Sequence, residues 1–99
     1  MSGEAGLEMA LLSVEFFFDG CGSLKEKRTR MGGLRDRFGR LHSVAVSECG
    51  YQNDHRRSQW AFVVIGTDRT GVEKVLNQIQ EKLEEQVDGR IIEANVEWL

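Results

Sequence analysis

GCGSLKEKR, residues 20–28, is the stretch that places the first helix of the chain directly after its first strand. Ser23 and Glu26 form the pattern Ser-x-x-Glu, in which each side chain can accept a hydrogen bond from the backbone N–H of the other residue. This capping box predicts a helix that begins at Ser23 and runs to about Leu41. Residues at helical spacing form its apolar stripe: Leu24, Met31, Leu34, Phe38 and Leu41.

Two adjacent glycines interrupt that helix. Gly32 and Gly33 each weaken a helix by about 1 kcal/mol relative to alanine. They therefore predict either a kink or a close neighbour at mid-helix.

With the first strand and helix included, the predicted elements of the chain follow the order β-α-β-β-α-β. Residues 60–65 are apolar on both faces, as expected for a central strand, and the second helix carries its own apolar stripe. This order predicts an α+β, ferredoxin-like βαββαβ fold, in which a four-stranded antiparallel sheet has both helices on one face. The predicted segments are strands at 9–18, 43–47, 60–65 and 91–98, a hairpin loop at 50–58, and the second helix at 69–86.

Length and composition indicate an ordinary globular domain. The 99 residues are 40% hydrophobic and 29% charged, and we predict one domain over residues 9–99 after a disordered tail, residues 1–8. No apolar run approaches the ~20 residues that cross a bilayer, and the start lacks the basic and apolar regions of a signal peptide. We predict a cytoplasmic protein with no membrane partner, in which Cys21 and Cys49 stay reduced.

Positive charge is concentrated in one part of an acidic chain. The net charge is −3, yet residues 20–42 carry seven basic and two acidic side chains. A basic helix face can pair with phosphates and gain from counterion release, although many charged faces are simply solvated. Lys27 lies within the apolar stripe, so its stem is expected to snorkel. We predict RNA or a ribosomal particle as the partner, bound by Lys25, Lys27, Arg28, Arg30, Arg37, Arg40, Arg56 and Arg57.

The glycine turn before the helix is a second candidate binding site. The N–H groups of Gly20, Cys21, Gly22 and Ser23 could cradle a small anion or a nucleotide phosphate at the positive end of the helix. Any strand-to-helix junction needs a similar turn, and Glu26 competes for the same donors. Both interpretations stay open, and neither a Walker nor a Rossmann pattern accompanies the turn.

The sheet face away from the helices is a third candidate surface. Strand alternation predicts an acidic rim around an apolar centre, which suits a protein chain better than phosphates. The alternative hypothesis is therefore a protein-interaction domain, or a homodimer formed through this sheet face. Its predicted residues are Ser13, Glu15, Phe17, Ala61, Val63, Ile65, Glu93, Asn95 and Glu97, while Ile92, Ala94, Val96 and Trp98 point toward the helices.

Catalytic, metal and cofactor sites are not predicted. The spacings of Cys21, His42, Cys49 and His55 match no zinc pattern. Cys21 lies near a helix N-terminus, but the sequence places no histidine or aspartate to activate its thiol. We therefore predict a non-catalytic binding protein without a cofactor.

Several motifs together resemble the YlxP-like family of small bacterial proteins. The most distinctive is Gly-Cys-x-Ser-Leu-Lys-Glu-Lys-Arg at residues 20–28, and the similarity extends over residues 11–99 without gaps. The resemblance implies a ferredoxin-like domain with no established activity, often encoded beside translation-initiation and ribosome-maturation genes, and hence an RNA-related role by association. The other matching pieces are Leu34-x-Asp36-Arg37, Val44-x-Val46-x-Glu48, Asp68-Arg69, residues 72–76 and Glu97-Trp98-Leu99.

Overall fold

Seven helices and strands build the described part of the chain, which is residues 6–99 of a computed structural model. Residues 1–5 of the predicted tail lie outside this part, and Glu8 already belongs to the first strand. The elements are β1 (Glu8–Phe17), α1 (Leu24–Met31), α2 (Leu34–Phe38), β2 (Val44–Gly50), β3 (Arg57–Gly66), α3 (Arg69–Gln86) and β4 (Arg90–Trp98).

The strands form one antiparallel sheet in the order β2-β3-β1-β4. β1 pairs with β3 from Glu8 opposite Gly66 to Phe17 opposite Arg57, and it pairs with β4 on its other side. The predicted ferredoxin-like α+β fold is confirmed, since the first and third strands are central and the helices share one core with the sheet. β2 and β4 are the edges of this sheet.

The core lies between the sheet and the helices. Alternate residues of β1 and β3 point into it, so each strand has one buried face. Full burial of a large apolar side chain contributes about 1.5–3 kcal/mol, and this core is therefore the main source of stability. Its members include Leu12, Val14, Phe16, Met31, Leu34, Phe38, Phe62, Val64, Val72, Leu76, Ile79 and Leu83.

The helix predicted from Ser23 to about Leu41, with a kink or a close neighbour at its two glycines, is divided into two separate helices, α1 and α2. Gly32 and Gly33 have φ angles of 68° and 70°, a left-handed conformation that a right-handed helix cannot contain. The N–H of Gly32 donates to the carbonyl of Thr29 at 3.1 Å and ends α1. Leu41, predicted in the apolar stripe, lies beyond α2 and is 37% exposed.

The two edges of the sheet differ in how closely helices pack over them. α2 packs against β2, whereas α3 packs mainly over β3 and β1 and reaches β4 at Trp98, over which Arg69 stacks. Ile92 and Val96, predicted to point toward the helices, are consequently 43% exposed each. A β-bulge also pairs Phe16 with Ile91 rather than with Ile92. Of the β4 side chains, Ile91 and Trp98 pack against the core.

Candidate nucleic-acid interface

The turn before α1 folds as a helix cap. The backbone N–H of Glu26 donates to Ser23 Oγ at 3.0 Å, as the capping box predicted. The Glu26 carboxylate accepts from the N–H of Gly22 at 3.2 Å and not, as predicted, from that of Ser23. The N–H of Cys21 donates to the carbonyl of Phe18 at 3.2 Å, and the Cys21 side chain is buried. Two of the proposed anion donors are thus already bound to protein acceptors. The anion site stays a prediction, and the turn has the geometry of a capped strand-to-helix junction.

Lys27 is buried and does not lie on the predicted nucleic-acid surface. Its ammonium donates to the carbonyl oxygens of Tyr51, Asp54 and Arg57 at 3.0, 2.8 and 3.0 Å. The carboxylate of Glu48 lies 3.6 Å away and supplies the counter-charge. A lysine has three donor hydrogens, so these bonds leave none for a phosphate. The prediction for Lys27 is wrong because the β2–β3 loop closes over its ammonium, and its place in the apolar stripe was the signal of this burial.

A polar cluster continues below the loop. Ser58 Oγ, fully buried, donates to Glu48 Oε2 at 2.6 Å. Within residues 6–99, every buried side-chain nitrogen and oxygen has a hydrogen-bond partner. Because an unpaired buried charge costs several kcal/mol, the cluster of Lys27, Glu48 and Ser58 fixes the position of the hairpin on α1.

Arg30 is also held by the fold. Its Nε donates to the carbonyl of Asp88 at 2.8 Å, and another guanidinium nitrogen donates to the carbonyl of Asp19 at 2.8 Å. The guanidinium lies 5.5 Å from the centre of the Phe18 ring. Arg30 therefore joins α1 to the turns that precede it and that precede β4, and its planar fork is already engaged.

Arg57 lies on the other face of the sheet from α1. Its Nε donates to Glu15 Oε2 at 2.9 Å, and a second guanidinium nitrogen contacts the same carboxylate oxygen. This hydrogen-bonded carboxylate raises the pKa of Arg57 above its ordinary value. The guanidinium also stacks 4.2 Å from the centre of the Tyr51 ring. The structure therefore does not bring Arg57 together with the helix residues, while Arg56, its neighbour in the loop, is exposed.

Five exposed basic residues remain on α1, α2 and the turn that follows, and we call them the basic surface. Four of them were predicted from the sequence. The fifth, Arg35, flanks the apolar stripe and lies 5.8 Å from the Trp60 ring centre. The basic surface consists of Lys25, Arg28, Arg35, Arg37 and Arg40.

The break between α1 and α2 opens a groove in the basic surface. The groove has a volume of about 350 Å³, and Arg28 and Arg35 lie on its walls around Trp60. Asp36 and Glu48 also line it and offset part of its positive charge. This part of the surface therefore presents cations beside carboxylates.

A second groove, between α2 and α3, is more strongly basic. It has a volume of about 310 Å³ and is lined by Arg37, Arg40 and Lys82 together with Phe38, Leu41 and Gln86. Arg37 donates to Gln86 Oε1 at 2.6 Å, which orients its guanidinium. Lys82 was missed by sequence reasoning because it comes from the acidic second helix and is brought here by the packing of α3. We call these three cations and their groove the α2–α3 groove.

The open sheet face has a charged part and an apolar part. Glu15, bound by Arg57, lies opposite Glu93 in the register of β1 and β4. Toward the start of β1, the outward residues of β1 and β3 are apolar and paired with each other. The apolar side chains at and beside this end are Leu7, Met9, Leu11, Val63, Ile65 and Leu99.

Residues 6–99 contain neither a cluster of metal ligands nor a helix suited to crossing a membrane. No three histidine, cysteine, aspartate or glutamate side chains of this range converge as metal ligands. No helix in the same range combines the length and the apolar character that a bilayer crossing requires.

The chain is similar to a family of unknown function, to an uncharacterised bacterial protein and to a solved structure. A family model described as "Protein of unknown function (DUF503)" matches residues 9–96. The "Uncharacterized protein YlxP" of Bacillus subtilis (strain 168) is 33% identical over 58 residues, or 59% of this chain, and the match spans 63% of that relative's length. A solved structure described as "Structural Genomics, protein YJCS" has a TM-score of 0.54, with 90% of this chain and 96% of that chain covered at 9% identity. At that identity the likeness concerns the fold alone.

Proposed function

The chain belongs to the DUF503 family of proteins of unknown function, and we propose from its own surface that it is a binding protein for the phosphate backbone of structured RNA. The partner is a folded RNA or a ribonucleoprotein such as a ribosomal particle. The α2–α3 groove is the observation that carries this proposal, since three cations line it and none of its lining residues is a carboxylate.

The α2–α3 groove suits phosphate for a physical reason. Arg37, Arg40 and Lys82 come from two elements and converge on one concave surface. Guanidinium groups pair with phosphate oxygens in a planar fork, and an ammonium adds a point charge. The other residues of the basic surface continue this positive charge along α1, so a backbone could follow it over several phosphates.

Binding to the backbone fits this surface better than base recognition on the sheet. The open sheet face carries Glu15, Glu93 and Glu97, which repel phosphates. Its exposed ring, Phe17, is already covered by the guanidinium of Arg90, which lies 5.2 Å from the ring centre. RNA-recognition sheets instead present aromatic rings on which bases stack. The choice of RNA among polyanions rests on the translation-related setting that the family resemblance implies.

Salt dependence tests the proposal directly. We expect the protein to bind a fluorescently labelled RNA hairpin, with the logarithm of the association constant falling by about 3.5–4.5 per decade of salt if five phosphates are neutralised. Fluorescence anisotropy at several KCl concentrations measures this slope. A slope near zero would contradict phosphate binding.

Charge reversal locates the binding surface. We expect R37E/R40E to weaken RNA binding roughly tenfold or more at low salt, because two phosphate contacts become repulsive. The matched control R69E/K74E makes the same change in net charge at the start of α3. Equal affinity of the two variants would show that the α2–α3 groove is not the binding site.

A second candidate function uses the open sheet face. Ile65 is 42% exposed, and Leu7 and Leu99 beside it are more than half exposed, so an apolar patch lies at this end of the sheet. Such a patch suits a homodimer or a protein partner. Sedimentation equilibrium would detect the homodimer, and Ile65→Lys should dissociate it. A monomer at every accessible concentration would exclude self-association through this face.

A further inference from the structure

The outer edge of β4 has hydrogen-bonding groups directed away from the sheet. Within residues 6–99, β4 pairs with β1 and has no strand on its other side. The N–H of Leu99 donates to the carbonyl of Met9 at 2.9 Å. Because backbone groups alternate along an antiparallel strand, the N–H and C=O groups of Ala94 and Val96 point outward, where another strand could pair with them.

A groove runs beside this edge, between β4 and α3. Two cavities of about 380 and 420 Å³ meet at Gln80 and together extend along the strand. Apolar residues from β4 and α3 form one side of the groove, and a polar stripe of α3 forms the other. The apolar residues are Leu76, Ile91, Ala94, Val96 and Trp98, and the polar stripe is Glu73, Asn77, Gln80 and Glu84.

The charge around Ala94 and Val96 is negative, while the guanidinium of Arg69 lies 4.0 Å from the centre of the Trp98 ring at the end of the groove. Glu73 and Glu84 line the two cavities, and no lysine or arginine of residues 6–99 is among their lining residues. On the other face of β4, Glu93 and Glu97 are exposed and lie four residues apart along the strand. Carboxylates therefore border the outward-pointing backbone of β4 on both sides.

We propose that the β4 edge binds an extended segment of a partner protein in which basic and apolar residues alternate. Such a segment would add a fifth strand to the sheet, with its backbone paired to Ala94 and Val96. Side chains of adjacent strands share a face with their direct neighbours. Basic residues would then meet Glu93 and Glu97, and apolar residues would enter the groove toward Val96.

Charge favours this partner over a second copy of the chain. If two β4 edges paired with each other, Glu93 and Glu97 from both copies would lie on one face of the joined sheet. Like charges on neighbouring strands destabilise the pairing, whereas opposite charges stabilise it. The β4 edge uses none of the basic surface or the α2–α3 groove, so the proposal is independent of RNA binding.

A synthetic peptide tests the edge. We expect a short peptide that alternates lysine and valine to shift the NMR signals of the Ala94 and Val96 amides, and to slow the hydrogen exchange of these amides. A peptide of the same composition, with its lysines grouped at one end, is the control for general charge attraction. Absence of binding by the alternating peptide, or equal binding by the grouped peptide, would overturn the proposal.

Charge reversal on the protein provides a second measurement. We expect E93K/E97K to bind the lysine–valine peptide roughly tenfold more weakly, since two favourable pairs become repulsive, and to bind a glutamate–valine peptide instead. The matched control is E81K/E85K, which changes the net charge equally on the exposed side of α3. Equal weakening in both variants, or a dimer in which the Ala94 and Val96 amides are protected without peptide, would show that the proposal is wrong.

Discussion

The two edges of the sheet differ in the burial of their charged groups. At the β2 edge, Lys27 is buried, and its ammonium is bound by three carbonyl oxygens and faces Glu48. At the β4 edge, Glu93 and Glu97 are exposed on the face of the strand that lies away from the helices. A charge of the first kind holds the fold together, and a charge of the second kind is available to a partner.

This difference predicts where mutations act. A buried charge that loses its partners carries a desolvation penalty of several kcal/mol, whereas an exposed ion pair contributes about 0–1 kcal/mol. Changes at the β2 edge should therefore alter the free energy of unfolding. Changes at the β4 edge should alter binding and leave that free energy nearly constant.

The largest expected effect is that of Lys27→Met. The substitution keeps the length of the side chain but leaves the carbonyls of Tyr51, Asp54 and Arg57 without the ammonium. Glu48 also loses its counter-charge, so we expect a loss of about 3–5 kcal/mol in the free energy of unfolding. Urea denaturation measures it. A loss of less than about 1 kcal/mol would show that the loop does not depend on this residue.

Lys25→Met is the matched control for that measurement. Lys25 lies two residues earlier on the same helix, where its side chain is exposed. Surface substitutions of this kind change stability by about 0.5 kcal/mol or less. A large loss in Lys25→Met would mean that helix propensity, not the buried ammonium, explains both variants.

At the β2 edge, Gly33→Ala should cause the next largest loss in the free energy of unfolding. Gly33 has a φ of 70°, and the position of an added Cβ is otherwise open space, so the cost is backbone strain alone. We expect a loss of about 1–2 kcal/mol, because α2 covers β2 only if the chain turns at this residue. Gly22→Ala is the control, since its Cβ would also meet open space and its φ is not positive. Thermal unfolding of both variants would separate strain from a general loss of glycine.

Val96→Thr compares the β4 edge with the core. Val96 is 43% exposed, whereas Val64 is 1% exposed. We expect Val96→Thr to change the free energy of unfolding by about 0.5 kcal/mol or less. Val64→Thr should lower it by roughly 1–3 kcal/mol, because the threonine hydroxyl would be buried. Similar losses in the two variants would mean that the β4 edge is covered in solution.

Sequence periodicity was sufficient for the fold because each strand and helix carries a clear repeat. The order of the elements, the N-cap at Ser23 and the apolar stripe of α3 were all predicted. The match to the DUF503 family agrees with the resemblance drawn from residues 20–28. The break at Gly32 was predicted only as a kink or a close neighbour. The local sequence alone does not determine whether both glycines adopt a positive φ.

The candidate site was less predictable, because side-chain contacts depend on elements distant in sequence. Lys27 and Arg30 lie on the same helix as Lys25 and Arg28, yet the β2–β3 loop and Asp88 remove them from the surface. Only Lys27 had a local signal of this, its place in the apolar stripe. Lys82 joins the α2–α3 groove from another helix. Which basic side chains stay on the surface depends on tertiary packing, and a count of charges along the sequence does not predict it.

The smallest expected effect concerns the ion pair that holds the start of β4. Asp19 accepts hydrogen bonds from Arg90 at 2.9 and 3.2 Å, and this contact lowers the pKa of Asp19 below its ordinary value of 3.8. A carboxyl whose pKa is lower in the folded state contributes stability above its unfolded pKa, and this contribution is lost as the pH falls through the folded pKa. Since both side chains are exposed, the contribution is small. In Arg90→Gln the pKa of Asp19, followed by NMR titration, should rise toward its ordinary value, whereas in Lys74→Gln it should stay where it is. An unchanged Asp19 titration in Arg90→Gln would mean that Arg90 does not bind this carboxylate in solution.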